Sequence, residues 1–300
     1  MASRRLSFDD IASLLKGLGG KIHYVPNTGN AGDSLIAEAT YQFLEEHGID
    51  YSVGRLDERL SEKRIVVVGG GGNFNGQYGN VRNFLNANFD RFERLVILPH
   101  TIRGEPELLG RMDDRFTLIC REFPSYEHCA AVASKANVYL SDDMALAWNV
   151  DKTLAYVRSL KAHDRVDRAF LYRQAKHEFR LLQYRACKKT GSLNAFRKDI
   201  ESSGNALPPN NADLSDIFAT DNMTRRFAAS AVSFLVRYLA SVKEVHSDRL
   251  HVSIIAAMLG KTVFMHDNNY GKNSSVYENS LEHRFANIAF VGRPERQVAA

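Results

Sequence analysis

Four short stretches of this chain gather residue types that handle anions or protons. The most informative is His246-Ser-Asp-Arg-Leu-His251. There Ser247 is an N-cap candidate, and Arg249 and His251 fall in the first turn of the helix expected to follow. Cations oppose the field at a helix N-terminus, so two of them make sense there if an anion arrives to offset them. In Cys120-Arg-Glu-Phe-Pro-Ser-Tyr126, Arg121 sits where a strand ends and points toward a cleft, with Ser125 as the cap of the next helix. The loop Asn27-Thr-Gly-Asn-Ala-Gly-Asp33 has tight-turn glycines at 29 and 32 and offers Asp33 or Ser34 as a cap, so its amides can grip a ligand. Finally, Gly69-Gly-Gly-Gly-Asn-Phe-Asn75 places four consecutive glycines directly after an apolar run. Such a run is costly to order, which points to close approach of backbone to a ligand or to a facing domain.

Weaker candidates surround these. His100 closes an apolar segment, although a lone histidine is more often structural. Asp142 and Asp143 are adjacent; neighbouring side chains point apart, so a turn fits them better than a proton-sharing dyad. His266-Asp267 leads through Asn268-Asn269-Tyr270-Gly271 to Lys272, which can face an anion. Several chemistries lack their motif. There is no G-x-x-x-x-G-K-[ST], and Phe74 and Asn75 stand where a dinucleotide fingerprint needs its third glycine, which disfavours NAD. With no H-E-x-x-H, flanked D-x-D or G-x-S-x-G, no metal site and no serine hydrolase is expected.

These loops need elements to hold them. Lys21–Pro26, Arg64–Val68, LVILPHTI, TLICRE and NVYLSDD read as strands, separated by helical patterns such as SLIAEATYQFLEEHG. Repeated alternation implies a parallel sheet with helices on both faces. After Trp148 a basic run extends from Arg158 to Lys189, and residues 201–216 are rich in Gly, Pro, Asn and Ser. Alternation then resumes with a helix at about 222–241, the strand VKEVH, a helix in DRLHVSIIAAMLG and the strand KTVFMHD. The expected organisation is residues 1–150 as one Rossmann-like domain and 151–300 as a second. The second carries a basic, loop-rich insertion near 173–220 and a C-terminal segment that packs back on the first domain.

Composition bounds the class. Hydrophobic residues at 44% and charged residues at 25% exclude a disordered or collagen-like chain. The balance of 39 basic against 35 acidic residues, +4, is too mild to indicate a nucleic-acid binder. Three scattered cysteines supply no disulfide framework and suit a reducing cytoplasm. Asp9 and Asp10 break the N-terminus before a signal-peptide core forms, and no apolar run reaches the roughly 18 residues of a membrane span. The expected state is soluble, or peripheral through the basic run at an anionic membrane.

Taken in order, the motifs resemble the polysaccharide pyruvyl transferase family. The likeness rests on Gly29-Asn30-x-Gly32-Asp33, RIVVV with Gly69–Gly72, LPHTI, Arg121-Glu122 with Ser125, and Asp143-Met-Ala145. It continues through Ser247-Asp248-Arg249-Leu250-His251 and Tyr270-Gly271-Lys272. The resemblance implies a GT-B-like pair of halves with the active site in the cleft between them. It also implies transfer of the enolpyruvyl carbons of phosphoenolpyruvate to two sugar hydroxyls as a ketal, with release of phosphate and no further cofactor. The acceptor would be a sugar of an exopolysaccharide or its lipid-linked precursor, at the inner face of the cytoplasmic membrane. On this reading Arg121, Ser247, Arg249, Leu250, His251 and Lys272 contact the donor, with Arg121, Arg249 and His251 catalytic. Bidentate arginines suit both the phosphate and the carboxylate, and His251 is the donor contact or general acid. Asn30, Gly32, Asp33, Gly70, Gly71, Gly72, Asn73 and His100 are assigned to acceptor or cleft loops. Two rivals are a nucleotide-sugar glycosyltransferase of the same architecture, for which no nucleotide site is found, and a non-catalytic component of a polysaccharide assembly complex.

Overall fold

A computed structural model describes residues 4–160, 167–184 and 191–291. Helix α1 (Phe8–Gly17) opens the chain, tied by a capping box between Ser7 and Asp10, and buries Ile11 and Leu15. Strand β1 (Ile22–Val25), helix α2 (Ala31–Glu46), and strands β2 (Tyr51–Val53), β3 (Arg64–Val68) and β4 (Gly71–Phe74) come next. They are followed by α3 (Asn80–Asn88), β5 (Phe92–Ile102), α4 (Pro106–Gly110), β6 (Phe116–Cys120), α5 (Phe123–Val132) and β7 (Asn137–Leu140). The strands form one parallel sheet in the order β2-β1-β3-β5-β6-β7, with β4 pairing on the far end of β5. Because β1 is followed on one side by β2 and on the other by β3, the order reverses there. In open α/β sheets, ligands collect at the carboxyl ends of such strands.

A second parallel sheet has the order β11 (Ile288–Phe290), β10 (Thr262–Met265), β9 (Glu244–Ser247), β8 (Ser192–Asn194). Between the sheets in sequence lie α6 (Val150–Ser159) and α7 (Arg168–Gln183). Then come β8 (Ser192–Asn194), α8 (Leu214–Ile217), α9 (Arg225–Leu239), β9 (Glu244–Ser247), α10 (Leu250–Met258), β10 (Thr262–Met265), α11 (Lys272–Val276) and β11 (Ile288–Phe290). This is the expected pair of Rossmann-like units.

Strand residues alternate between two cores. Val66, Val68, Leu95, Ile97 and Leu118 face Phe84, Phe89 and Leu109, whereas Val67, Val96, Leu98 and Ile119 face inward toward α2 and α9. That inward core continues without a break into the second sheet through Val245 and Val263. Helix α2 is buried on nearly every side and packs on α9, α8 and α10. Such an all-round buried helix needs its polar groups satisfied internally. Glu38 Oε1 accepts from Gln42 Nε2 (2.9 Å) and Thr153 Oγ1 (3.0 Å), while Trp148 Nε1 donates to Thr153 Oγ1 (2.7 Å).

Several expectations change. Helix α2 is capped by Asn30, with Asp33 as the reciprocal partner three residues in, rather than by Asp33 or Ser34. Glu122, not Ser125, caps α5. Ser247 ends β9 instead of capping α10, whose cap position is Arg249. Residues 173–183 of the expected loop-rich insertion instead belong to a regular helix, α7, because Phe170, His177 and Leu181 recur on one face and are buried. Lys161, Arg165, Arg185, Lys188 and Lys189 of the basic run lie outside the described residues, as does Cys187. Cys120 and Cys129 are buried free thiols. No helix among the described residues is long and apolar enough to cross a membrane.

The α2–α6–α9 junction yields a stability prediction. Thr153→Val keeps the shape but strips the acceptor from Trp148 and the donor from Glu38. It should cost about 2–3 kcal/mol, seen as a lower urea midpoint with an unchanged slope. A midpoint equal to the parent's would show that the network contributes nothing net.

Candidate functional site

The carboxyl ends of both sheets face one cavity of about 200 Å³. Thr28, Gly29 and Asn30 reach it from the loop after β1, and Gly72 and Asn73 from β4. Arg121 follows β6, Arg197 and Glu201 follow β8, Arg249–His251 follow β9, and Lys272 opens α11 beyond β10.

Arg121 is 1% exposed, donates through Nε to Thr101 Oγ1 (2.9 Å) and through Nη1 to Asp143 Oδ2 (2.8 Å), and turns Nη2 toward Gly72. A Cβ on Gly72 would lie 2.7 Å from that nitrogen, so the guanidinium needs glycine there. The rest of the glycine run serves packing. A Cβ on Gly70 would meet the Pro99 carbonyl at 2.7 Å, and Gly71 lies against Asn27 and His100. Gly70 and Gly71 therefore do not line the cavity. His100 does not either: it is fully buried, bonds the Gly69 carbonyl at 3.2 Å, and is pushed down to about 3 by burial and then by Arg121. It is a neutral packing residue.

Asp143 is the residue the sequence reading undervalued. Asp142 and Asp143 do point apart. Asp142 pairs outward with Arg5 and Arg284, while Asp143 turns inward to Arg121. His251 Nε2 lies 3.4 Å from the same Asp143 oxygen, close enough for charge attraction but without hydrogen-bond alignment. Burial would raise the Asp143 carboxyl, but Arg121 and then His251 outweigh it and hold it well below the usual carboxylate range. On its other side His251 touches α2, where a Cβ on Gly32 would lie 2.6 Å from Nδ1. Gly32 is thus behind the imidazole and not a cavity-lining residue. Asp33 does line the cavity, and burial raises its carboxyl against the opposing pull of His251.

Arg249 corrects the anion argument made from its position. Its Nε and Nη2 bind Asp213 at 2.9 and 2.5 Å, and Nη1 lies 2.8 Å from Asp199. The protein's own carboxylates supply the offset that an arriving anion was expected to provide. Ser247 likewise serves structure, donating to the Ala195 carbonyl (2.7 Å) and accepting from the Arg249 amide (2.9 Å). Lys272 Nζ lies 2.6 Å from Glu201 Oε2; burial pushes its ammonium down to about 8 despite that partner. Arg197 binds both Asp199 (2.7 Å) and Glu201. Nothing in SLNAFRKDIE marked Arg197 or Glu201, because β8 is only three residues long and its loop carries no turn signature.

A second cavity of about 730 Å³ adjoins the first and shares Thr28, Gly29 and Asn80 with it. Asn83, Asn222 and Thr224 give it hydrogen-bonding walls, and Val53, Leu56 and Met223 give it apolar ones. The first cavity is ionic and small; the second is larger and mostly uncharged. From the second unit, Asn279 donates to the carbonyls of Arg121 (3.0 Å) and Ser141 (3.1 Å), pinning the C-terminal helical segment beside the first sheet.

The model of the family described as polysaccharide pyruvyl transferase matches residues 30–270. The chain is 25% identical over 288 residues to the Bacillus subtilis (strain 168) protein named "Putative pyruvyl transferase EpsO", covering 86% of this chain and 84% of that one. It also shares 31% identity and a TM-score of 0.74 with the crystal structure of an uncharacterized protein from Klebsiella pneumoniae subsp. pneumoniae NTUH-K2044, over 94% of this chain and 97% of the other. The motifs at the strand ends, the paired parallel sheets and these matches lead to one conclusion: the chain belongs to the polysaccharide pyruvyl transferase family.

Proposed function

We propose that the protein transfers pyruvate as a ketal from phosphoenolpyruvate to two hydroxyls of a sugar in an exopolysaccharide or its lipid-linked precursor. The observation that carries this reading is the first cavity, where Arg121, Lys272 and His251 converge from both sheets on a space suited to a small polyanion. The phosphate and carboxylate of the donor match a guanidinium and an ammonium held in low dielectric. Arg249, fixed by two aspartates, contributes field and shape, and Leu250 closes the wall. Ketal formation needs a proton delivered to the donor methylene carbon, then attack of a first hydroxyl on C2, loss of phosphate, and attack of a second hydroxyl. His251 is assigned the proton, with Asp143 as the residue that positions its ring. The acceptor occupies the adjoining larger cavity, whose amides and apolar patches suit a sugar's hydroxyls and its C–H face. Asn30, Asp33 and Asn73 line the first cavity, and Thr28, Gly29 and Asn80 line both. No cofactor beyond the co-substrate enters this scheme.

Three outcomes test it. His251→Gln keeps a hydrogen-bonding group but cannot deliver a proton, so turnover should fall on the order of 100-fold or more while donor affinity changes little. Near-parent turnover would remove His251 from the acid role. Gly32→Ala changes the identity of no cavity-lining residue but its Cβ would press on His251 Nδ1, so it should lower kcat more than donor affinity.

Donor affinity should also depend on pH through Lys272. Its ammonium is held down to about 8 by burial, and a bound anion favours the charged form. Binding therefore takes up a proton, and affinity weakens as pH rises through that value. Isothermal titration between roughly pH 7 and 9.5, where the phosphate is already dianionic, should show this, and Lys272→Gln should flatten the profile. A flat parent profile would exclude Lys272 from the donor site.

A further inference from the structure

Helix α7 is apolar on two opposite faces. Phe170, His177 and Leu181 are buried against the body of the protein. On the other side Leu171, Ala175, Phe179 and Leu182 recur at intervals of four, four and three residues, with Tyr172 beside them. This stripe faces solvent: Tyr172 is 71% exposed, Phe179 66%, Leu182 53% and Leu171 47%. A helix hydrophobic all round is ordinarily covered on every side, and aligned large side chains left in water mark an interaction surface. Arg168 heads the stripe, and Lys176 and Arg180 run along one edge. On the opposite edge the acidic Glu178 is paired with Arg237 at 2.5 Å, so the rim is cationic overall. Arg173 takes no part, being paired with Asp221.

We propose that α7 is a membrane-contact helix that lays Leu171, Tyr172, Phe179 and Leu182 into the interface of an anionic bilayer. The cationic rim attracts anionic head groups, and the apolar stripe enters the acyl boundary behind them. A second copy of this chain is the poorer occupant, because a twofold contact would bring two copies of the same cationic rim together. The inference uses none of the cavity residues and stands apart from the identity of the donor.

The full chain should co-float with vesicles of phosphatidylcholine containing one quarter phosphatidylglycerol. Binding should be on the order of 100-fold weaker to phosphatidylcholine alone. High salt should reduce it, since screening acts on the rim. Phe179→Ser with Leu182→Ser should weaken binding on the order of tenfold or more at unchanged Tm, because both side chains already face water. Arg168→Glu with Lys176→Glu should abolish the preference for anionic lipid. Absence of binding to anionic vesicles at low salt would overturn the proposal, as would binding indifferent to the serine pair. Concentration-dependent dimers that the serine pair disperses, without vesicle binding, would assign the stripe to a second copy instead.

Discussion

One buried carboxylate links the two halves of the site. Asp143 follows the last strand of the first sheet, holds Arg121 from the same sheet at 2.8 Å, and lies 3.4 Å from His251 of the second. Leaving a buried charge unpaired costs about 3–5 kcal/mol, so Arg121 and Asp143 fix each other. His251 is then confined between that carboxylate and the backbone of α2 at Gly32. The positions of β7, α2 and α10 are thereby coupled, and a shift in any of them moves the imidazole.

The fold was largely legible because both faces of the first sheet are covered. RIVVV and LVILPHTI are continuous apolar runs, and only a strand between two helical layers needs such a run. Short elements were not legible. β2 and β8 have three residues each, too few for a period to show, and β4 hides in a glycine run that usually signals a loop. Helix α7 was concealed by its charge: the eye follows its arginines, while Phe170, His177 and Leu181 hold the helical spacing beneath them.

The site was legible in part for a similar reason. Arg121, Arg249, His251 and Lys272 announce themselves as cations at strand ends. Their carboxylate partners do not, since Asp143, Asp199 and Asp213 look like ordinary loop acids. Adjacent Asp142 and Asp143 diverge, as any adjacent pair in extended chain must, yet divergence sent one to the surface and the other to the centre. Sequence spacing gives the angle between neighbours but not which of them faces inward.

That hidden partnership shapes what the cavity can bind. Arg197, Arg249 and Lys272 are each matched by Asp199, Glu201 or Asp213, and Arg121 by Asp143. Each of these cations has a carboxylate beside it, so the empty cavity is near electrical balance and the cations can sit together without forcing the sheets apart. A dianionic ligand disturbs that balance toward negative charge. It is restored most readily by proton uptake at the groups whose charged forms burial now penalises, Lys272 above all. The carboxylates let a cationic site exist in a folded protein, while the burial of Lys272 couples the arrival of an anion to proton uptake at alkaline pH.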